Sequence, residues 1–404
     1  MTLEKTWRWF GADDLIKLSD LRQMGIEGVV TALNHIPSGE VWSVEEIEKR
    51  RNMIEEAGMR WSVVESLPVS ETIKMRGEDC ERHIENYKIS LRNLGKCGVT
   101  TVCYNFMPVL DWARTSLSYK HEDGTDSMFF DYTIFAAFDV YILQRPGSEK
   151  DYSEEVLAKA KKLVDNMTEK EKDEVVYNVV VATQAFVGSG VGNVPNYKEE
   201  FQKLLDNYKD IDKEQLRSNL KHFLEEVIPV AEEAGVNLCI HPDDPPFPLL
   251  GLPRIASTLE DYEWIINQVD SVANGVTFCT GSLSVREDNV LLNFIKNLAP
   301  RIHFIHLRNI TRNGERTFYE SGHIDGVLDM PSLVQALLEE QIRRKEEGRK
   351  DYRIAFRPDH GLRMLHDFEE KHNPGYPLIG RLKGLAEISG IEAGILYCMK
   401  NNKN

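Results

Sequence analysis

The chain has 404 residues, of which 42% are hydrophobic, so it is long enough to bury a sizeable core and is not globally disordered. Lys and Arg total 49 and Asp and Glu total 65, which gives a formal net charge of −16. A surface this acidic argues against nonspecific binding to nucleic acid or to an anionic membrane. It does not exclude an anionic small molecule, because a pocket can concentrate arginines locally.

The amino-terminal sequence MTLEKTWRWFGADD lacks the basic segment and the apolar run of a signal peptide, and no apolar stretch approaches membrane-spanning length. The six cysteines are scattered along the chain without CxxC pairs. This spacing predicts reduced thiols rather than a disulfide framework or a zinc ribbon. We therefore expect a cytoplasmic protein.

From the amino terminus, short apolar runs alternate with amphipathic, charge-rich segments, a pattern typical of βαβ units. Four strands are predicted in TWRWFG, IEGVVTAL, MRWSVVES and VTTVCYNF. The intervening helices are predicted in DDLIKLSDLRQMG, with Asp13 or Asp14 as cap, in SVEEIEKRRNMIEEAG, with Ser43 in a capping box, and in CERHIENYKISLRNLGKCG.

The alternation is interrupted between residues 108 and 212. This segment holds a loop-like stretch, the aromatic run FFDYTIFAAFDVYIL and charged, weakly periodic helical sequence. We interpret residues 108–212 as a largely helical insertion after the fourth strand, within a single domain of residues 1–404. The aromatic run is a candidate for a subunit interface of a homo-oligomer or for a cover over the mouth of the fold.

Four more strands follow in VNLCIHPDD, NGVTFCTGS, RIHFIHLRN and YRIAFRPDHG, each with a helix before it. Eight parallel strands close most economically as an α/β fold of the TIM (β/α)8 barrel type. A doubly wound open sheet is the alternative. No GxGxxG or GxxxxGK[ST] motif follows any strand, which removes the usual reason to prefer the open sheet.

The last four predicted strands end on residues of metal-ligand type: His241, Cys279, His306 and Asp359. In a barrel these strand ends meet at one mouth, where active sites are built. Each residue alone has an ordinary explanation, such as a core cysteine or a capping aspartate. Four of them on neighbouring strands predict a metal site, and the donor types suit zinc, ferrous iron or manganese.

Other polar residues are predicted near the same mouth. Arg308 shares a strand face with His306 and is a candidate for binding a substrate carboxylate. His360 and Tyr376 are candidate proton-transfer groups. The remaining candidates for substrate binding are His35, Asn105 and Arg381.

In HPDDPPFPLLGLPRIAST, FCTGS, HLRN, RPDHG and NPGYPLIGRLKGLAE, the sequence closely resembles the mannonate dehydratase family of hexuronate degradation. The resemblance implies a TIM barrel, divalent manganese or ferrous iron, and dehydration of D-mannonate to 2-keto-3-deoxy-D-gluconate. It carries the metal ligands onto His241, Cys279, His306 and Asp359, and the catalytic tyrosine onto Tyr376. The role of His323 stays open, because it lies in a segment of variable length.

Three other functions remain open from the residues alone. A metal-dependent sugar isomerase or epimerase would use a similar barrel, although with a more carboxylate-rich metal shell. A noncatalytic sugar-acid binding protein would hold a coordinatively closed metal. An endonuclease barrel is disfavoured by the charge of −16.

Overall fold

Eight parallel strands close into a barrel in the computed structural model, which describes residues 1–183 and 197–401. The closed sheet runs in the order β1, β2, β3, β4, β7, β8, β9, β12 and back to β1. Its strands are β1 (Glu4–Arg8), β2 (Gly28–Thr31), β3 (Arg60–Glu65), β4 (Thr101–Tyr104), β7 (Asn237–Ile240), β8 (Asn274–Cys279), β9 (Ile302–Leu307) and β12 (Ala355–Pro358). The predicted (β/α)8 barrel is confirmed, and all eight predicted strands take part in it.

The strands are short and almost wholly buried, because helices cover the outside of the barrel and side chains fill its inside. A small inner cluster is contributed by six different strands: Val30, Val63, Cys103, Cys239, Phe304 and Ala355. The much larger outer core joins the strands to the surrounding helices. The centre of the barrel is therefore packed with side chains.

The helices follow the amphipathic segments of the sequence. They are α1 (Leu18–Gln23), α2 (Val44–Glu56), α3 (Glu71–Met75), α4 (Cys80–Lys96), α5 (Tyr132–Ala137), α6 (Glu154–Asn166), α7 (Glu169–Val176), α8 (Tyr197–Asp206), α9 (Lys213–Ala234), α10 (Leu259–Ile266), α11 (Thr280–Ser284), α12 (Leu291–Leu298), α13 (Met330–Glu346) and α14 (Leu378–Asn401). Ser43 caps α2 through the backbone N–H of Glu46, as predicted. The predicted start of α1 at Asp13 or Asp14 is wrong, because the Asp14 carboxylate accepts from Phe10 and Ile16 instead and the helix begins at Leu18.

A second, antiparallel sheet lies outside the barrel, in the order β10, β11, β6, β5. Its strands are β5 (Ser116–Lys120), β6 (Asp126–Phe130), β10 (Asn309–Arg312) and β11 (Phe318–Ser321). It joins a hairpin that follows β4 to a hairpin that follows β9, with Phe318 opposite Phe130. This sheet was not predicted from the sequence.

The aromatic run FFDYTIFAAFDVYIL forms the end of β6, α5 and the helical turns after α5, and most of its rings are buried. Phe130, Phe135 and Phe138 pack in a second core cluster with Phe247 and Phe318. Because these rings are buried inside the subunit, their positions do not support the run as a subunit interface. The run stabilises the segment between β4 and β7.

The predicted insertion at 108–212 and the single domain 1–404 stay predictions, and residues 184–196 and 402–404 lie outside the described residues. Between β4 and β7 the described segments contain two strands as well as helices α5 to α8. In the part of the chain that the structure describes, no helix has both the length and the apolar character needed to cross a membrane.

Candidate metal and active site

A cavity opens at the carboxyl ends of the barrel strands. Strand register determines which side chains meet there: Cys279 on β8 is opposite His306 on β9, and His306 is opposite Arg357 on β12. Residues from both halves of the barrel line the cavity, among them Arg8, Glu65, Asn105, Asp111, His241, Arg357, Asp359, His360 and Tyr376. Of the sequence-based candidates, Asn105, His241, Asp359, His360 and Tyr376 line this cavity.

The four predicted metal-ligand residues lie together, and we call them the donor cluster: His241, Cys279, His306 and Asp359. Ligand atoms of the two histidines and the cysteine all lie within 4.8 Å of one another. His241 Nε2 is 3.2 Å from His306 Nδ1. The carboxylate oxygen Oδ2 of Asp359 is 3.7 Å from Cys279 Sγ and 3.9 Å from His306 Nδ1.

These separations fit a bound cation. Metal–nitrogen and metal–sulfur bonds of about 2.0–2.3 Å place neighbouring ligand atoms roughly 3–4 Å apart. Two imidazoles, a thiolate and a carboxylate form a mixed donor set that suits zinc, ferrous iron or manganese. The donor cluster can therefore hold a divalent metal, with the cavity beside it for substrate.

The pKa values within the donor cluster diverge because its members are buried among charges. Burial and the Arg357 guanidinium hold the pKa of His306 well below its usual range. Arg357 and neighbouring cations outweigh burial at Asp359 and hold the pKa of that carboxyl well below its usual range. Burial acts to lower the pKa of His241, but its hydrogen bond and charge interaction with Cys279 raise it to about 10. Asp359 is thus an anion and His306 a neutral imidazole, the forms in which both residues bind metals.

Arg308 lies beneath the cavity in a network of buried ion pairs. Its guanidinium contacts Asp244 and Glu320, and its Nε is 3.0 Å from Asp359 Oδ2. Arg114 binds the same two partners from the other side, at 2.8 Å to Asp244 and 2.6 Å to Glu320. Arg308 does not line the cavity, so its position does not support the predicted contact with a substrate carboxylate. It positions Asp359 instead.

His360 and Tyr376 both line the cavity and contact each other, with ring centroids 5.1 Å apart. Arg308 Nη1 lies 2.9 Å from His360 Nδ1, and Glu320 Oε1 lies 3.1 Å from the same nitrogen. These contacts fix the orientation of the imidazole. Burial raises the pKa of Tyr376 to about 12, so its phenol is protonated at neutral pH.

The three remaining substrate-binding candidates lie in different places. Asn105 lines the cavity and donates to Asp111 at 2.6 Å. His35 points outward, with a side chain 54% exposed and paired with Glu46 at 2.8 Å. Arg381 is buried behind Tyr376, 4.9 Å from that ring, and does not line the main cavity. The predicted substrate contacts of His35 and Arg381 are therefore not supported by their positions.

His323, whose role was left open, is 2% exposed, and burial lowers its pKa to about 4. It packs close to Gly384 of α14 and does not line the main cavity.

Charged residues that line the cavity and were missed from the sequence include Arg8, Glu65, Asp111 and Asp244. Arg8 and Glu65 are the last residues of β1 and β3, so the rule that identified the donor cluster would have found them had it been applied to the first four strands. Glu65 accepts from Arg357 at 2.9 Å, and this arginine together with the nearby His306 holds its pKa at about 2 despite burial. Asp111 follows β4 in a loop and carried no local signal.

Comparisons with known proteins agree on one family. The family model for D-mannonate dehydratase (UxuA) matches residues 3–402. The mannonate dehydratase of Marinomonas sp. (strain MWYL1) is 48% identical over 395 residues, covering 97% of this chain and 99% of the relative. The mannonate dehydratase of Chromohalobacter salexigens is 48% identical over 399 residues, with the same coverage of 97% and 99%.

Among solved structures, the crystal structure of mannonate dehydratase from Streptococcus suis serotype 2 matches with a TM-score of 0.78 and 32% identity. The match covers 99% of this chain and 96% of that chain. Sequence, fold and the metal-ligand types at the barrel mouth thus lead to the same assignment. The chain belongs to the D-mannonate dehydratase family of hydro-lyases.

Proposed function

We propose that this chain removes water from D-mannonate to give 2-keto-3-deoxy-D-gluconate in hexuronate catabolism, with Mn²⁺ or Fe²⁺ held by the donor cluster. The observation that carries the proposal is the convergence of His241, Cys279, His306 and Asp359 at the cavity that Tyr376 and His360 line. Membership of a metal-dependent dehydratase family supports it.

The reaction sets two chemical demands. A weakly acidic proton leaves C2, next to a carboxylate that resists further negative charge, and hydroxide leaves C3. When bound, a divalent cation supplies Lewis acidity that neutralises charge on the substrate oxygens. The protein supplies the base for the C2 proton and the acid for the departing hydroxyl, each worth about 10²- to 10⁴-fold in rate.

We assign these proton transfers to His360 and Tyr376. The raised pKa of Tyr376 keeps its phenol protonated at neutral pH, which suits a donor to the departing hydroxyl. His360 is oriented through Nδ1 by Arg308 and Glu320, and its ring faces the same cavity. We assign it the C2 proton. Asn105 lies in the same cavity beside Asp111, where its amide can hydrogen-bond a substrate hydroxyl.

The contacts of Asp359 support two separate roles: Asp359 binds the metal, and the arginines around it hold it in position. Arg357 and Arg308 both reach Asp359, and they hold it as an anion beside the cysteine and histidine ligands. Glu65 in turn pairs with Arg357. Partners of this kind orient metal ligands and tune them.

The test is anaerobic turnover by metal-stripped protein reloaded separately with Mn²⁺, Fe²⁺ and Zn²⁺. We expect metal-dependent formation of a 2-keto-3-deoxy acid from D-mannonate with Mn²⁺ or Fe²⁺. An isomerised or epimerised sugar as the sole product would support the isomerase alternative. Tight binding of sugar acid without any product would support the binding-protein alternative.

We also propose a cytoplasmic location and a homo-oligomeric state. The cysteines are all free and five of the six are buried, which suits a reducing compartment. Cell fractionation tests the location. Light scattering on the protein as it elutes from a size-exclusion column tests the homo-oligomeric state. A measured mass of one subunit would contradict that state.

A further inference from the structure

One cavity-lining arginine forms no ion pair among the described residues. Arg8 is the last residue of β1, only 6% exposed, and lines the cavity beside Glu65 and Tyr376. Its Nη1 atom has no hydrogen-bond partner among the described residues. Its guanidinium lies over the ring of Phe10 at 4.8 Å. The Glu65 carboxylate acts on the Arg8 charge through space, and its own ion pair is with Arg357.

The other arginines near the mouth are already occupied. Arg357 pairs with Glu65 and Asp359, and Arg308 contacts three carboxylates. A substrate carboxylate would have to displace a protein carboxylate from either of them. Arg8 forms no ion pair with any carboxylate in the described ranges, so an incoming anion does not have to break an ion pair there.

Arg381 is the closest comparison, because both of its terminal nitrogens also lack hydrogen-bond partners in the described part of the chain. Its guanidinium, however, packs on the ring of Trp7 at 3.8 Å, and its Nε donates to the backbone carbonyl of Asp359 at 3.1 Å. It lies behind Tyr376 and does not line the main cavity. Among the described residues, Arg8 is the arginine that lines the main cavity without an ion pair.

A buried guanidinium without a hydrogen-bonded counter-ion is strongly unfavourable, and such groups in proteins are normally paired. The planar fork of an arginine matches a carboxylate through two parallel hydrogen bonds. We infer that Arg8 binds the carboxylate of the substrate. The inference rests on the proposed function and identifies the anchor that selects a sugar acid over a neutral sugar.

The position of β1 fits this orientation. β1 is hydrogen-bonded to β12, the strand that leads into Asp359 and His360. If Arg8 holds the substrate carboxylate, the carbon chain of the substrate extends toward Tyr376 and the donor cluster. Glu65, which faces the same cavity as an anion, disfavours placing the carboxylate on the β3 side.

The experiment compares an anionic and a neutral ligand. D-Mannonate and D-mannitol share the polyol chain and differ in the carboxylate. Calorimetry measures the binding of each ligand to metal-loaded Tyr376→Phe protein, with and without the Arg8→Gln substitution. The Tyr376→Phe substitution is included because it slows turnover during the measurement. The control is Arg50→Gln, because Arg50 packs on Trp9 and donates to Thr31 without lining the cavity.

We expect Arg8→Gln to weaken D-mannonate binding by about 10- to 100-fold, the size of a charged hydrogen-bonded pair, and to leave D-mannitol unchanged. Arg50→Gln is expected to change both affinities less than about threefold, as a screened charge outside the cavity should. If Arg8→Gln does not fold, Arg8→Lys replaces it, with a smaller loss for D-mannonate only, because lysine keeps the charge but not the fork.

Equal effects of Arg8→Gln on both ligands, or no effect on either, would overturn the inference. Binding of D-mannonate through Arg8 by a wild-type protein that forms no product would contradict the proposed function and support the inference. Failure of the metal-loaded protein to bind D-mannonate would overturn both.

Discussion

The two sides of the cavity differ in how their charges are compensated. On the side of β8, β9 and β12, the arginines Arg308 and Arg357 are matched by carboxylates of the protein itself. On the side of β1, Arg8 is buried and has no carboxylate partner among the described residues. The charges of the first side are matched within the folded chain, whereas Arg8 on the second side forms no such pair. This difference is the basis for the proposed metal site on one side and the proposed anion site on the other.

The largest effect is expected from the donor cluster itself. Cys279→Ser removes the thiolate, and we expect metal content to fall and turnover of D-mannonate to drop by about a thousandfold or more, since Lewis-acid catalysis supplies several kcal/mol. Metal analysis and product assay on the same preparation measure both. Cys80→Ser is the control. Cys80 is the first residue of α4 and lies close to two other residues of metal-ligand type, Glu81 and His222, but it is not part of the donor cluster. Full metal content in Cys279→Ser would contradict the assignment of Cys279 as a metal ligand.

Tyr376→Phe is expected to affect chemistry without affecting metal binding. Removing the phenol O–H should lower kcat by about 10²- to 10⁴-fold, the usual contribution of a proton-transfer group. Metal content and the free energy of unfolding should stay as in wild type, because the ring contacts to Phe10 and His360 remain. Near-normal kcat would remove the tyrosine from the mechanism.

Arg308→Met should destabilise the fold far more than Arg8→Gln. Breaking the Arg308 network leaves Asp244, Glu320 and Asp359 short of a cation, and the loss of one partner from a buried ion pair costs about 3–5 kcal/mol. Arg8→Gln removes a charge without a protein partner and should leave the free energy of unfolding unchanged or raised. Urea unfolding of both variants measures the difference. A larger loss for Arg8→Gln would contradict the view that Arg8 awaits a ligand.

A smaller contrast lies along β9, which carries His303 near one end and His306 near the other. Burial lowers the pKa of His303 to about 3, and the ring contacts the Val272 carbonyl at 2.7 Å. The unfolded chain gains a proton near pH 6.5 that the folded chain does not gain until about pH 3, so stability falls as pH falls through this window. His303→Gln should flatten the pH dependence of the unfolding free energy by up to about 1.4 kcal/mol per pH unit between pH 6.5 and 3. An unchanged slope would show that His303 is not buried as a neutral ring.

The smallest effect is expected at His35. Its exposed pair with Glu46 should contribute less than about 1 kcal/mol. His35→Ala should leave KM for D-mannonate within about twofold of wild type, because the side chain points away from the cavity. Steady-state kinetics test this, and a large rise in KM would show that the loop after β2 turns inward when substrate binds.

The donor cluster could be predicted because it depends on two local signals. Each of the four residues lies within one position of the end of its strand, and parallel strands bring their carboxyl ends to one mouth. The residues that surround the donor cluster could not be predicted, because their contacts join parts of the chain that are far apart in the sequence. Arg114, for example, donates to Glu320 at 2.6 Å although the two residues are 206 positions apart in the sequence.

His35 shows the limit of the strand-end rule. β2 ends at Thr31, so His35 lies four residues on in a turn, where alternation no longer determines its direction. Arg8 shows the opposite case. Arg8 does lie at the end of its strand, but in TWRWFG it looks like an ordinary strand residue. Only the structure shows that it is buried and that its Nη1 atom has no hydrogen-bond partner among the described residues.

The most direct test of the account is a crystal structure of the Tyr376→Phe protein loaded with Mn²⁺ and D-mannonate. Anomalous scattering at the manganese edge locates the metal independently of the ligands. The account predicts one ion within about 2.0–2.4 Å of His241, Cys279, His306 and Asp359, with the substrate carboxylate on Arg8. A metal bound elsewhere, or a carboxylate on Arg308, would contradict it.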